Sequence, residues 1–342
     1  MSNMVISIGI IAYNEEKFIN KILQDVYKQT YSLKNIELLL IDGLSKDKTK
    51  EMMLDFKNKH ESEFYGISVL DNTKQTQASG WNVAINNFKG DALSRIDAHA
   101  TIKEDFIENV VNRLNEGENI VGGPRTCIID PVTKWTKTLL QTENSLFGSS
   151  INASRRETKE KKYVKTMFHA TYRREVFEKA GQFNENLKRT EDNELHYRMR
   201  EQGYKFCFCP EIQSSQYARM SFGAMLQQKY SNGFWIGKTF KYNYKCLSIF
   251  YFAPIGFLLA LLATTVLSCF GYWWPLVVLV GLYGLFAVGN TILTIVKEGF
   301  SIYQLTMPFL FLLLHLSYGV GTLFGLFSIN RFKRGEESGI IK

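Results

Sequence analysis

The pattern of apolar and polar residues divides the chain into two parts. From Ser248 to Val296 the sequence contains no Asp, Glu, Lys or Arg, and after Lys297 and Glu298 it runs uncharged again over residues 299–330. A bilayer core takes about 20 apolar residues per helix, so the first run is long enough for two membrane helices and the second for one. The alternative is a buried hairpin in a large soluble core, but runs of this length are typical of membrane spans. We predict spans at residues 248–268, 274–296 and 305–327.

The N-terminal third of the chain alternates short β-branched runs with amphipathic stretches. Residues 5–12 (VISIGIIA) form a run suited to a strand that is buried on both faces, and the apolar residues of 18–26 fall on one helical stripe. Further strands are predicted at residues 36–42, 66–70 and 92–97, with helices between them. This alternation predicts an α/β fold with a mostly parallel central sheet flanked by helices.

Polar residues follow three of the predicted strands directly. In an open α/β sheet, ligands bind beyond the carboxyl ends of the strands. The residues at these ends, which we therefore expect to line one crevice, are Tyr13, Asn14 and Glu15 after the first strand, Asp42 at the end of the second, and Asp97 and His99 at the end of the fourth.

The second half of the soluble part is less regular. Two short helices are predicted there, at residues 174–180 and 191–202, each followed by a glycine that can end it. The complete division is a catalytic domain at 1–218, an interfacial junction at 219–247, a membrane cluster at 248–330 and a polar tail at 331–342. Residues 1–12 lack the basic start of a signal peptide, so we expect a multi-pass protein with its first 240 residues in the cytoplasm. Three spans then place the C-terminus outside, whereas the basic residues of the tail favour the inside, and this conflict stays open.

The net charge of +8 adds little to this picture, because Lys and Arg are scattered and form no aromatic-interleaved stripe of the kind that binds nucleic acid. Four lysines precede the first span (Lys229, Lys238, Lys241 and Lys245) and fit either the surface of an anionic membrane or an ordinary solvated face. The cysteines are dispersed without a CxxC pair, so no zinc site is indicated.

Asp97-Ala98-His99 places a carboxylate and an imidazole two residues apart at a strand end. Both can face a divalent cation and a diphosphate, and the mixed oxygen and nitrogen ligands favour manganese over magnesium. A hydrogen-bonded pair without a metal is the alternative interpretation.

Glu191 and Asp192 begin a helix, with Thr190 as a candidate N-cap. Acidic residues are common in a first turn, because the helix dipole stabilises them there. The functional interpretation is that a carboxylate here accepts the proton of an attacking hydroxyl group. His169 and His196 are interpreted as structural.

The stretch before the first span is rich in aromatic residues and contains Gln228 and Trp235. Trp and Tyr are typical of the membrane–water interface, so an interfacial belt is the simpler interpretation. The same residues can also form the edge of an acceptor site, and the two interpretations are compatible.

The order of these features resembles the family 2 glycosyltransferases, which have the GT-A nucleotide-diphospho-sugar transferase fold, and most closely the succinoglycan-type polysaccharide transferases. The likeness covers about residues 4–240. It rests on four segments in the family's order and spacing, namely the strand with YNEE at 5–16, IDGLSKDKT at 41–49, RIDAHA at 95–100 and KRTEDNELHYRMREQG at 188–203.

The resemblance implies specific roles for the candidate residues. Tyr13, Asn14, Glu15 and Asp42 would hold the nucleoside, while Asp97 and His99 stand where the family's DxD motif binds the metal and the diphosphate. Asp192 would be the general base of a single displacement that inverts the anomeric carbon, with Glu191 as its supporting neighbour.

Three departures from the family pattern limit these roles. Gly43 follows Asp42 where many members have a second aspartate, and His99 replaces the second acid of DxD. The QxxRW motif of processive synthases is not intact, since Gln228 is followed by Lys229, Tyr230, Ser231 and Asn232. We therefore expect a non-processive enzyme.

The resulting hypothesis is transfer of a hexose or N-acetylhexosamine from a nucleotide sugar, with a UDP-sugar favoured, to a lipid-linked glycan or growing surface polysaccharide. The reaction is expected at the plasma membrane, and a polysaccharide assembly complex is a candidate partner. The alternative is a non-catalytic GT-A-like membrane protein that assembles a polysaccharide complex. A transporter is disfavoured, because no inverted repeat is visible.

Overall fold

The structure is a computed structural model that describes residues 4–148, 159–218 and 221–328. These residues form two compact units, one containing 4–128 and 159–217, the other containing 129–148, 218 and 221–328. The sequence pattern placed residues 129–148 in the catalytic domain, whereas the structure groups them with the C-terminal helices. The predicted polar tail at 331–342 lies outside the described residues.

The strands and helices are numbered in chain order. The strands are β1 Ile6–Ala12, β2 Ile36–Asp42, β3 Gly66–Asp71, β4 Ala92–Asp97, β5 Ala100–Ile102, β6 Ile120–Gly122, β7 Arg125–Ile129, β8 Lys162–Val164, β9 Thr171–Arg173, β10 Phe206–Phe208 and β11 Ser214–Ala218. The helices are α1 Ile19–Tyr27, α2 Thr49–His60, α3 Gln77–Asn87, α4 Phe106–Asn115, α5 Lys134–Asn144, α6 Arg174–Ala180, α7 Glu191–Glu201, α8 Phe222–Asn243, α9 Ala253–Cys269, α10 Trp274–Glu298 and α11 Met307–Phe327.

The first unit is built on an eight-stranded mixed sheet in the order β3-β2-β1-β4-β9-β6-β10-β8. β1, β2, β3 and β4 are parallel, as their sequence pattern predicts, while β9 is antiparallel to both β4 and β6. A smaller sheet in the order β5-β11-β7 completes the unit. The parallel half places the ends of β1, β2 and β4 along one edge.

Helices cover both faces of the large sheet. Apolar residues of α1, α2 and α4 pack on one face, with Ile22 and Phe106 among the fully buried side chains. Residues of α3, α6 and α7 pack on the other face, around Trp81 and Leu195. The predicted flanked sheet and the helices at 174–180 and 191–202 are confirmed.

The second unit contains three helices that are long and apolar enough to cross a membrane, at Ile249–Cys269, Trp274–Glu298 and Ile302–Phe327. They match the predicted spans closely. The third is more enclosed by protein than the other two, with 39% of its most apolar window buried against 11% for each of the others.

Helix α8 packs directly along α11 through glycines. A Cβ atom on Gly233 would lie 2.0 Å from the carbonyl oxygen of Tyr318, and one on Gly321 would lie 2.1 Å from that of Tyr230. Gly237 and Gly325 make similar approaches one turn later, so each helix carries a GxxxG sequence at the contact. Small residues of this kind let two membrane helices approach with their backbones in contact. Helix α8, which lies in the segment predicted as an interfacial junction, therefore packs closely against the apolar helix α11.

Helix α5 joins the second unit through a buried ion pair. Lys229 Nζ lies 3.3 Å from Glu143 Oε1, and the two side chains are only 7% and 8% exposed. Gln304 Nε2 donates to Gln141 Oε1 at 3.1 Å, and Leu139 packs in an apolar cluster with residues of α8 and α11. Lys229 is thus buried, contrary to the interpretation that it is a charge at the membrane surface.

Candidate active site

The loops after β1 and β2 are hydrogen-bonded to each other. The backbone amide of Lys46 donates to Asn14 Oδ1 at 2.8 Å, and the amide of Glu15 donates to Thr49 Oγ1 at 2.8 Å. Asn14 has a φ of 54°, a left-handed conformation that asparagine tolerates well. The buried carboxylate of Asp42 accepts from the amide of Ser45 at 3.1 Å, within its own loop.

These contacts distinguish three of the four residues expected to hold the nucleoside. Asn14 and Asp42 hold the loops in place, whereas the Tyr13 side chain is 49% exposed and open to a ligand. The nucleoside-binding role of all four stays a prediction.

Asp97 ends β4 with its carboxylate inside a polar cluster. Its Oδ2 lies 3.2 Å from His169 Nε2 and accepts from Gln216 Nε2 at 3.4 Å. Burial by itself raises the pKa of Asp97, but the His169 hydrogen bond and the nearby positive charges outweigh it and hold this pKa well below its usual range. Asp97 is therefore an anion at neutral pH.

His99 lies between Glu15 and Gln216. Its Nδ1 lies 3.4 Å from Glu15 Oε1, and its Nε2 contacts Gln216 Nε2. Burial lowers the pKa of His99, but the Glu15 hydrogen bond and the Asp97 charge raise it overall. The structure thus brings Glu15, Asp97 and His99 together, as expected from the strand ends.

Local sequence did not indicate three members of this cluster. His169, interpreted as structural, touches Asp97 and also lies 2.8 Å from Ser214 Oγ. Arg125 Nη1 donates to Gln216 Oε1, lies 4.0 Å from Asp97 Oδ2, and its guanidinium stacks over Phe168. The signal that places Gln216 here is the antiparallel pairing of β5 and β11, which sets Gln216 opposite Ala100.

Asp97 and His99, which are predicted to bind a divalent cation, contact one shared atom. Asp97 Oδ2 and His99 Nε2 both face one point, which the Gln216 amide nitrogen occupies. Over residues 4–148, 159–218 and 221–328, no group of three or more His, Cys, Asp or Glu side chains is placed to hold a metal. Asp97 and His99 can thus supply one oxygen and one nitrogen ligand, with other ligands coming from elsewhere.

Asp192 lies in the first turn of α7 and is fixed by an arginine. Arg95 Nη2 donates to Asp192 Oδ1 at 3.0 Å, and the Arg95 side chain is 8% exposed. The guanidinium lies between the rings of Trp81 and Phe183, 4.5 and 4.6 Å from their centroids. Aromatic faces stabilise a cation in this position. Asp192 therefore has a defined orientation before any substrate binds.

Glu191, the neighbour of Asp192, is buried with only 3% exposure, and its Oε2 has no hydrogen-bond partner among the residues that the structure describes. Burial, followed by the charge of Asp192, raises the pKa of Glu191 to about 8. Glu191 therefore holds a proton at neutral pH.

His196 lies one turn further along α7 and is structural, as expected. It is fully buried, and its ring nitrogens lie 2.7 Å from Thr166 Oγ1 and 2.7 Å from Tyr172 Oη. Burial lowers the pKa of His196 to about 3, so its ring is neutral.

Gln228 and Trp235, the candidate acceptor residues, both lie in α8 of the second unit. Trp235 packs edge-on against Phe234, and the Lys238 ammonium lies 4.9 Å from its ring centroid. These contacts suit an interfacial aromatic cluster, and the acceptor role stays a prediction.

Known proteins resemble this chain in sequence. The sequence profile of glycosyl transferase family 2 matches residues 7–181. A dolichyl N-acetyl-α-D-glucosaminyl phosphate 3-β-D-2,3-diacetamido-2,3-dideoxy-β-D-glucuronosyltransferase of Methanococcus voltae is 28% identical over 323 residues, which cover 92% of this chain and 95% of the relative. The succinoglycan biosynthesis protein ExoA of Rhizobium meliloti is 27% identical over 237 residues, covering 68% and 69%.

The fold also has a solved counterpart. The mannosyltransferase PcManGT from Pyrobaculum calidifontis, in complex with GDP-Man and Mn²⁺, superposes with a TM-score of 0.58 at 16% identity, covering 94% of this chain and 87% of that protein. At this identity the likeness shows the fold. The predicted GT-A class is confirmed.

Proposed function

The chain belongs to glycosyl transferase family 2, and on that basis we propose that it moves one hexose or N-acetylhexosamine from a nucleotide sugar, with a UDP-sugar favoured, to a lipid-linked or growing surface polysaccharide. Family membership makes the protein a glycosyltransferase, which disfavours the alternative of a non-catalytic assembly protein. The observation that carries the proposal is the Asp192 carboxylate, which is oriented by Arg95 from the strand that ends on Asp97.

Asp192 has the geometry of a general base. One carboxylate oxygen, Oδ1, accepts the Arg95 hydrogen bond, so Oδ2 can accept the proton of an acceptor hydroxyl. The hydroxyl oxygen then bonds to the anomeric carbon as the bond from that carbon to the diphosphate oxygen breaks. The electron pair of the breaking bond leaves with the nucleoside diphosphate. This single displacement inverts the anomeric configuration.

Asp97 and His99 are the residues proposed to hold a divalent cation, with manganese favoured over magnesium because an imidazole takes part. When bound, such a cation supplies Lewis-acid stabilisation of charge on the departing diphosphate. The Mn²⁺ in the PcManGT complex supports this choice. Tyr13, Asn14 and Asp42 belong to the loops proposed to bind the nucleoside.

The acceptor is proposed to be lipid-linked. The Methanococcus relative is named for a dolichyl phosphate-linked sugar, and this chain has three helices that can cross a membrane. We place the protein in the cell membrane as a multi-pass enzyme with its catalytic domain in the cytoplasm. Gln228 and Trp235 are proposed acceptor contacts, and the interrupted QxxRW sequence after Gln228 supports addition of a single sugar.

The test is release of nucleoside diphosphate by the purified full-length protein in detergent. Manganese, UDP- and GDP-sugars and polyprenyl-phosphate-linked acceptors are combined in a screen, with product analysis by mass spectrometry. Wild type is expected to add one sugar, and Asp192→Asn to lose about 10²–10⁴-fold in kcat. Glu201→Gln, at the exposed end of α7, is the matched control. Full activity of Asp192→Asn contradicts the assignment of the base.

A further inference from the structure

The Gln216 side chain contacts both of the residues proposed to bind the cation. Its Nε2 contacts His99 Nε2 and donates to Asp97 Oδ2 at 3.4 Å, so the two atoms best suited to bind a cation share one amide nitrogen. Its Oε1 accepts from Arg125. The Gln216 amide thus occupies the point on which the two candidate ligands converge.

We propose that Gln216 Oε1 is a third protein ligand of the divalent cation, beside Asp97 Oδ2 and His99 Nε2. This inference rests on the proposed function and adds one residue to the metal site. A carboxamide carries its donor and its acceptor on the same carbon, so a half-turn of the terminal torsion exchanges them. A cation at the shared point repels the NH₂ end and attracts the carbonyl oxygen.

The other two ligands are already oriented toward this point. Glu15 Oε1 lies 3.4 Å from His99 Nδ1, which leaves the lone pair of His99 Nε2 facing Gln216. His169 Nε2 contacts Asp97 Oδ2, and His169 Nδ1 contacts Ser214 Oγ. Outer contacts of this kind fix the tautomer and the direction of metal ligands.

The coordination number leaves room for a third residue. Magnesium prefers octahedral coordination, so Asp97, His99 and two diphosphate oxygens would leave positions that a further protein oxygen or water can take. Carboxamide oxygens are accepted ligands of hard divalent cations. Within the described ranges no third His, Cys, Asp or Glu completes the pair, so Gln216 is the side chain in contact with both ligands that has an oxygen to offer.

The half-turn has a consequence for Arg125. Its Nη1 now donates to Gln216 Oε1 and would face the NH₂ group after the turn, where two donors repel each other. Arg125 Nη1 also lies 4.0 Å from Asp97 Oδ2. The half-turn therefore costs Arg125 this acceptor, while its contacts with Asp97 and Phe168 can remain.

The experiment measures Mn²⁺ affinity by the paramagnetic resonance signal of free Mn²⁺, using the full-length protein with saturating UDP and, separately, GDP. Gln216→Leu is expected to bind Mn²⁺ about 10- to 100-fold more weakly than wild type, since even the loss of an outer contact costs this much. Gln216→Glu, which restores an oxygen, is expected to stay within about threefold of wild type. Gln213→Leu is the control, because Gln213 donates to Pro210 O away from the ligands.

The outcomes separate the inference from the function it rests on. If Gln216→Leu binds Mn²⁺ as tightly as wild type, or more tightly, Gln216 only fills the site and the inference is wrong, although the donor site stands. If wild type binds no Mn²⁺ with either nucleotide, the proposed metal site fails together with the inference. Melting temperatures and metal-free nucleotide affinity verify folding, and weak binding by Gln216→Glu equal to that of Gln216→Leu also contradicts ligation.

Discussion

Arg95 Nη2 donates a hydrogen bond to Asp192 Oδ1 at 3.0 Å, joining β4 to the first turn of α7. The two residues are 97 positions apart in the sequence, and the guanidinium is clamped between Trp81 and Phe183. A carboxylate that accepts a hydrogen bond from a fixed guanidinium keeps one orientation. Arg95 is therefore a positioning residue for the proposed base.

Replacing Arg95 tests this relationship. Arg95→Met removes the hydrogen bond that orients the proposed base, so it is expected to lower kcat while the KM for the nucleotide sugar stays close to that of wild type. A hydrogen bond to a charged group contributes about 1.5–3 kcal/mol, so kcat is expected to fall about 10- to 100-fold. Arg95→Lys, which keeps a donor at this position, should recover part of the loss in kcat.

The control for this pair is Arg113→Met, which removes an arginine that pairs with Glu116 and Glu211. It should leave both kcat and KM in place. A kcat of Arg95→Met equal to that of wild type shows that Arg95 has no role in positioning Asp192.

Glu191 predicts a particular pH dependence of stability. Its pKa is raised from 4.5 to about 8 in the folded state, so the folded protein binds the extra proton and this stability is fully present below pH 4.5. It is lost as pH rises toward 8, by an amount on the order of a few kcal/mol. Glu191→Gln is neutral at every pH, so its melting temperature should fall less than that of wild type between pH 5.5 and 8.5. Equal falls in both proteins, with Glu201→Gln as the reference, contradict the raised pKa.

The contact between α8 and α11 depends on glycine. Gly233→Leu puts side-chain atoms where the Tyr318 carbonyl lies, and such overpacking costs about 1–3 kcal/mol or more. The melting temperature in detergent is expected to drop clearly. Gly289→Leu in α10 is the matched control, because no atom lies within 4 Å of a Cβ built there. Similar losses in the two variants would show that the loss is not specific to the α8–α11 contact.

The Lys229–Glu143 ion pair is expected to be strongly coupled. Lys229→Met leaves a buried carboxylate and should cost about 3–5 kcal/mol, while the double variant with Glu143→Leu recovers much of that loss. A more exposed pair in the same unit, Lys137 and Glu298, serves as the reference and should contribute below about 1 kcal/mol. Additive losses in the double-mutant cycle, measured by thermal unfolding, contradict the coupling.

Local patterns in the sequence determined much of this protein. The uncharged runs after Ser248 predict three spans because their length alone matches a bilayer. The β-branched run of β1 and the acidic end of β4 predict a parallel sheet with Asp97 and His99 at its edge, and the structure brings both residues together with Glu15. The helix that begins at Glu191 follows from its first-turn acids and its terminal glycine.

Only the tertiary structure decided the partners of these residues. Arg95 on Asp192, His169 on Asp97 and Gln216 on His99 join residues 97, 72 and 117 positions apart, and the ion pair that ties α5 to α8 joins residues 86 apart. Helical and strand periodicity extends over a few residues, so it reports which face of an element is buried. It carries no record of which distant side chain meets that face, because strand order and helix packing set that contact.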